Sequence, residues 1–173
     1  MKEGDKAMAD KTFAGLSYDD VLKKYADTVA GVCVMRLQNW ADTEDCFQNT
    51  FIKLFQKSPD FRSETHLKAW LIRVAINECR NYIAKNRRFL SLENLSREPV
   101  EWRDNERDVS WALMRTEPKY REVLYLCYCE QYKVAEIAEI LGKNPNTVKT
   151  LLKRGREKLK QIYGGDEDEK AEL

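Results

Sequence analysis

The stretch Lys133–Tyr163, KVAEIAEILGKNPNTVKTLLKRGREKLKQIY, constrains the fold more than any other part of the chain. Val134, Ile137, Ala138 and Leu141 recur at helical spacing, which predicts a first helix with one apolar face. Gly142 ends it, since glycine takes the left-handed backbone of a helix terminus without a Cβ penalty. Asn144 is an N-cap residue, and Pro145 falls in the first turn, where its missing N–H would have no partner. Val148, Leu151, Leu152, Leu159 and Ile162 supply the apolar positions of a second helix. The pattern is a helix-turn-helix, which places a helix end in the major groove of DNA.

The charges agree with that use. Between Lys143 and Lys160 stand Lys143, Lys149, Lys153, Arg154, Arg156, Lys158 and Lys160, against Glu157 alone. This local excess of six positive charges sits on a chain whose formal net charge is +1. A field so concentrated is the footprint of phosphate contact. An ordinary surface helix carries mixed signs instead, as the preceding helix does with Glu136 and Glu139.

At 173 residues there is room for one domain or two small ones. No apolar run approaches the roughly 20 residues of a membrane span, and the start, MKEGDKAMADK, is too charged for a secretory signal. A cytoplasmic protein with no membrane insertion is expected. Of the five cysteines, Cys33, Cys46 and Cys79 lie within apolar helical patterns, where thiols pack as small hydrophobes. Cys127 and Cys129 are too close for the usual zinc spacing, and His66 is the one histidine that could complete a ligand set. Structural thiols are expected, with no metal, no cofactor and no disulfide framework.

Read in order, residues 1–15 lack periodicity and are expected to be a loose tail. Ser17 caps a first helix whose stripe of Tyr18, Val21, Leu22, Tyr25, Val29, Val32 and Cys33 runs to about Leu37. After a break at Asn39–Asp42, Asp42 or Thr43 is expected to cap a second helix, with Phe47, Phe51, Leu54 and Phe55 inward, stopped at Ser58-Pro59. A third helix runs from Thr65 to about Lys85, apolar over much of its circumference except for a polar stripe of Arg73, Asn77, Arg80 and Asn81. It ends in a basic cluster of Lys85, Arg87 and Arg88. These three helices make a first domain, 16–88. Residues 89–108 read as an irregular acidic linker. A second domain, 109–163, holds a short helix near Trp111–Met114, a helix from Pro118 to about Glu130, and the helix-turn-helix. The acidic tail 164–173 is expected to be disordered. The expected fold is all-α, two small helical domains and no convincing strand.

At this point the residues resemble the sigma-70 family of RNA polymerase sigma factors, of the short extracytoplasmic-function (ECF) type. Tyr120-Arg-Glu-Val-Leu124, Glu136-Ile-Ala-Glu-Ile-Leu-Gly142, Thr147-Val-Lys149 and Arg154-Gly-Arg-Glu-Lys-Leu159 follow that family's region four. Asp42-Thr-Glu-Asp45 with Gln48, Thr50 and Phe51, then Phe61-Arg62, Trp70-Leu71 and Arg73-Val-Ala-Ile-Asn77, follow its region two. The sequence departs from the pattern at Leu151 and Gly155, where arginine and alanine are usual, at Asn146, where glycine is usual, and at Thr116-Glu117-Pro118. The loss of arginine at Leu151 puts part of the upstream readout in doubt, and Gly155 within a helix costs about 1 kcal/mol relative to alanine.

The resemblance implies a factor that binds core RNA polymerase, recognises promoter DNA both duplex and single-stranded, and helps to open it. Asn146, Thr147, Lys149, Thr150, Lys153, Arg154 and Arg156 would read or grip the upstream (minus-thirty-five) element, Asn and Thr at base edges and the cations at phosphates. Phe61, Arg62, Arg73, Asn77 and Arg80 would hold the opened minus-ten strand, with Phe61 either a stacking platform or a loop anchor. Glu44, Asp45, Gln48, Asn49 and Lys53 would face core polymerase. An anti-sigma partner is expected as well. No catalytic constellation accompanies these residues, so an enzyme is not expected. Two rival readings are a helix-turn-helix repressor that dimerises through its amino-terminal helices and an all-helical adaptor. The basic helix opposes the adaptor, and the single-strand candidates oppose the repressor.

Overall fold

The first helix, α1 (Tyr18–Leu37), starts where a serine can cap it. The Ser17 side chain accepts from the Asp20 N–H at 3.2 Å, and its hydroxyl donates to Asp20 Oδ2 at 2.6 Å. At the other end Gln38 adopts a left-handed φ of 55° and its N–H reaches Val34 O at 2.9 Å. The computed structural model describes residues 11–57, 59–93 and 107–171, with side chains described over 11–57, 59–86 and 111–162. Within these, the chain divides into two units, Met1–Glu98 and Pro99–Leu173.

In the first unit α1, α2 (Trp40–Lys57) and α3 (Glu64–Glu93) each pack against the other two. Their shared core holds Val21, Val29, Phe51, Leu54, Leu67, Leu71, Ile72 and Ile76, all at most 3% exposed. Cys33, Cys46 and Cys79, one from each helix, are buried there as free thiols. A hydrogen bond with Cys79, then burial, pushes the Cys46 thiol well up, and a hydrogen bond with Cys33 together with burial raises Cys79. Both stay protonated and pack as hydrophobes, in keeping with a structural role.

The start of α2 differs from the sequence expectation. Asn39, not Asp42 or Thr43, caps it: its Oδ1 accepts from the Asp42 N–H at 3.0 Å, and its carbonyl accepts from Thr43 N–H at 3.0 Å. Asp42 is drawn inward because Tyr82 Oη of α3 donates to its Oδ1 at 2.5 Å, which ties α2 to α3. α3 also overruns its expected end near Lys85 and continues as backbone helix to Glu93, since no glycine or proline occurs before Pro99 to stop it. Its Glu64 carboxylate pairs with Lys24 and accepts from Tyr25 Oη at 3.1 Å, joining α3 to α1. The hydrogen bond from Lys24, then that from Tyr25, holds the Glu64 carboxyl below its ordinary range.

Residues 11–15 are not loose. Thr12–Phe13 (β1) pairs antiparallel with Leu16–Ser17 (β2) in the register Thr12 to Ser17 and Phe13 to Leu16. The two-residue connection Ala14–Gly15 has φ of 53° and 84°, the signature of a primed hairpin turn. An alanine there costs about 1 kcal/mol of backbone strain. Burial of the Phe13 ring, 1% exposed, offsets that cost. The expected linker 89–108 lies largely outside the described residues, as do its acidic side chains and those of Arg87 and Arg88.

In the second unit α4 (Arg107–Arg115), α5 (Pro118–Tyr128), α6 (Val134–Leu141) and α7 (Pro145–Ala171) surround Ala112, Leu113, Val123, Leu124, Ile137 and Val148. The backbone of 164–171 continues α7, where the sequence expected a disordered tail; Glu167, Glu169, Lys170 and Ala171 favour helix and offset the two glycines. Gly155 is where α7 meets α5. A Cβ there would stand 3.0 Å from Leu124 Cδ1, 3.2 Å from Leu124 Cγ and 3.3 Å from Tyr120 Cβ, so the glycine permits a close helix approach.

Arg121 is the least ordinary core residue, being 3% exposed. Its Nε donates to Leu113 O at 3.0 Å, and its Nη2 donates to Met114 O at 3.1 Å and Thr116 O at 2.7 Å. One guanidinium thereby satisfies the carbonyls left open at the end of α4 and fixes α4 onto α5. Arg121→Ala is expected to destabilise the second unit by about 3 kcal/mol, and Arg121→Lys by nearly as much, because one ammonium cannot match the planar fork. Chemical denaturation of the purified variants measures both.

Candidate nucleic-acid interfaces

In the second unit the basic face is built on a turn fixed by its own backbone hydrogen bonds. The Lys133 N–H donates to Glu136 Oε2 at 2.7 Å at the start of α6. At its end Gly142 takes φ 62° and ψ 38°, and the Lys143 N–H donates to Ala138 O at 2.8 Å. Asn144 then begins α7: its Oδ1 accepts from the Asn146 N–H at 2.8 Å, and its carbonyl accepts from Val148 N–H at 3.1 Å. Val148, Leu152 and Gly155 are buried, which turns the opposite side of α7 to solvent. Asn146, Thr147, Lys149, Thr150, Lys153, Arg154 and Arg156 are all exposed, as the sequence required of DNA contacts.

Within that face the roles separate. Asn146, Thr150 and Lys153 stand at spacings of four and three along one ridge, about 10 Å long. Thr150 Oγ1 donates to Asn146 O at 3.0 Å, which leaves its oxygen able to accept from a base. Lys149 and Arg154 flank the ridge. Arg156 lies off it, with Nη1 donating to Tyr128 Oη at 3.2 Å at the end of α5. Tyr128 is 44% exposed, and nothing in the sequence points to this contact, since the two residues lie 28 apart. Leu151 is half-buried, so an arginine there would begin at the edge of the ridge and not on it.

In the first unit the candidates lie on α3 and the loop before it. Arg73, Asn77 and Arg80 are exposed on successive turns of one side. The neighbouring Glu78 is turned away: it pairs with Lys53 of α2, and its side chain is only 11% exposed. That pair removes a negative charge from beside the stripe. Lys53, expected to face core polymerase, is thus engaged with Glu78 of α3 while its side chain remains 36% exposed.

Arg62 is exposed, and its N–H donates to His66 Nδ1 at 3.4 Å. Ser63 Oγ accepts from the His66 N–H at 3.2 Å and caps α3. Phe61 is half-buried, its ring meeting His66 at 5.5 Å and Trp70 at 5.7 Å edge-on, and Phe13 at 6.5 Å. Of the two readings left open by the sequence, this packing supports the loop anchor over the open stacking platform.

On α2, Glu44, Asp45, Gln48 and Asn49 are exposed together, and Gln48 Nε2 donates to Glu44 Oε1 at 3.2 Å. Trp40 and Ile52, 55% and 46% exposed, continue the same ridge at four-residue spacing from Glu44 and Gln48. A charge-centred face with large apolar residues at both ends suits a protein partner better than solvent alone. Sequence reasoning passed over both residues because a single exposed apolar side chain is ordinary. Among the described residues no group of three or more histidine, cysteine or acidic side chains could hold a metal, and no helix is long and apolar enough to cross a membrane.

Known proteins share both halves. Residues 21–89 match the Sigma-70 region 2 family and residues 112–159 the Sigma-70, region 4 family, together more than half of the chain. The ECF RNA polymerase sigma factor SigE of Mycolicibacterium smegmatis is 27% identical over 168 residues, covering 90% of this chain and 65% of SigE. CarQ, an RNA polymerase sigma factor of Myxococcus xanthus, is 26% identical over 157 residues, 86% of this chain and 90% of its own. The chain thus spans just under two thirds of SigE but nearly all of CarQ. In fold it is similar to sigma factor RpoE of Bartonella quintana, solved with the anti-sigma factor NepR, with a TM-score of 0.71, 20% identity, and coverage of 85% of this chain and 96% of that one. CnrH, solved with the cytosolic domain of CnrY, gives 0.64, 21%, 94% and 95%. With regions two and four present in that order, and ECF factors among its relatives, the chain belongs to the sigma-70 family of RNA polymerase sigma factors, in the ECF group.

Proposed function

We propose that this factor brings core RNA polymerase to a set of promoters by gripping two DNA elements in two different states. The observation that carries the reading is the exposure of two basic, amide-bearing helix faces, one on each unit. On α7, Asn146, Thr147 and Thr150 contact base edges of duplex DNA, while Lys149, Lys153, Arg154 and Arg156 contact phosphates. On the first unit, Arg62, Arg73 and Arg80 follow a single strand, and Asn77 pairs with an unstacked minus-ten base. Phe61 fixes the loop that presents Arg62. The exposed face of α2, Glu44, Asp45, Gln48 and Asn49 with Trp40 and Ile52 at its ends, docks on core polymerase. Lys53 supports that helix through Glu78 instead of touching the partner.

The factor acts by binding and carries out no covalent chemistry of its own. It works in the cytoplasm, where core polymerase and promoter DNA are found. RpoE and CnrH were each solved with a regulatory partner, NepR and CnrY. An anti-sigma protein that covers the α2 face or α7 would likewise hold this factor inactive.

Two substitutions separate the elements. Asn77→Ala is expected to impair open-complex formation about tenfold while leaving initial duplex binding within twofold, the cost of one lost bidentate base contact. Permanganate footprinting of the holoenzyme reads the opening step, and equal losses in both steps would remove base capture from Asn77. Lys153→Ala is expected to weaken binding across sequences and to lower the slope of log affinity against log salt by about one. A variant that changed sequence preference while keeping the slope would make Lys153 a base reader.

A further inference from the structure

We propose that the amino-terminal hairpin Thr12–Ser17 is a positioning element for the strand-holding loop of the first unit, acting through Phe13. This rests on the reading of Phe61–His66 as part of the single-strand site. Two-residue strands do not persist by themselves, so the hairpin needs an external reason to form. It has three. Lys11 Nζ donates to Phe55 O at 3.2 Å and sits 4.4 Å over the Phe55 ring, joining the segment to the last turns of α2. The Tyr18 ring bridges Phe13 at 6.3 Å and Phe55 at 6.0 Å, both edge-on. Phe13 itself is 1% exposed and reaches forward to Phe61.

The consequence falls on the loop. Phe61 is held on three sides by Trp70, His66 and Phe13, and two of those rings belong to α3 itself. Of these three rings Phe13 is the one from outside α3, so it ties the loop that leaves α2 to the amino-terminal segment as well as to the helix that carries Arg73, Asn77 and Arg80. The next residue, Arg62, is exposed and oriented through its N–H to His66. Removing the Phe13 ring leaves the loop able to shift while its sequence, charge and exposed residues stay the same. A site whose supporting contacts are loosened binds more weakly without losing any group that touches the ligand.

The test uses the full chain assembled with core polymerase. The probes are a single-stranded oligonucleotide and a duplex, each selected by the unaltered holoenzyme from a randomised pool. Phe13→Ala is expected to weaken single-strand binding about fivefold, the effect of one lost aromatic pair. Binding to the duplex and to core polymerase should stay within twofold, and Phe13→Leu should recover part of the loss. Amide hydrogen exchange should rise over residues 60–66 and not over the middle of α1 or α2. Unchanged single-strand binding by Phe13→Ala would overturn the inference, as would equal losses on all three partners, which would mark Phe13 as general core. Failure of the unaltered holoenzyme to select any single strand would overturn the reading of the loop itself.

Discussion

A helix segment that carries Lys149, Lys153, Arg154, Arg156, Lys158 and Lys160 against Glu157 alone repels itself and its surroundings, and the second unit exists in its present form because that cost is met on the buried side of α7. Val148 and Leu152 are removed from water, and Gly155 lets α7 approach Leu124 and Tyr120 of α5 so closely that a Cβ there would stand 3.0–3.3 Å from their side chains. α5 is in turn fixed to α4 by Arg121, through its three carbonyl contacts. The charged face can therefore be specialised for an anion, since its stability comes from elsewhere. Glycine at position 155 looks costly by helix propensity alone, but the closeness of α5 gives it a packing reason.

The first unit solves a different problem. A site for a single strand has to present cations and an amide without nearby acids, on a surface that does not move. The Lys53–Glu78 pair takes the nearest acid out of the stripe, and the rings around Phe61 hold the adjoining loop. Both devices lie beneath the exposed residues that would touch DNA. The same core buries three thiols, and those of Cys46 and Cys79 are pushed well up, so they add packing and no reactivity.

What the sequence made legible was whatever is local. The Ser17 cap, the Gly142 stop, the Asn144-Pro145 start and the helical stripes each depend on residues within a turn or two, and they stand where expected. What it concealed depends on partners far along the chain. Asp42 has the chemistry of a cap, yet Tyr82, 40 residues away, claims its carboxylate and leaves the cap to Asn39. Lys53 has the look of a free helix cation, yet Glu78, 25 residues away, pairs with it. Phe13 carries no period because its strand is two residues long, and its ring packs on Tyr18 and on a ring 48 positions later. The helical spacing put the candidate residues of α3 and α7 on faces that are exposed, but it did not find Tyr128 beside Arg156, nor Trp40 and Ile52 at the ends of the α2 face.

In the proposed function, two DNA-reading faces act together through core polymerase. Run-off transcription with purified core enzyme, alone and with this protein, tests it most directly. A promoter-specific transcript that appears only when the protein is present is the predicted result. Tight binding to duplex sites as a dimer, with no specific transcript from any core enzyme, would contradict the claim and leave a repressor in its place.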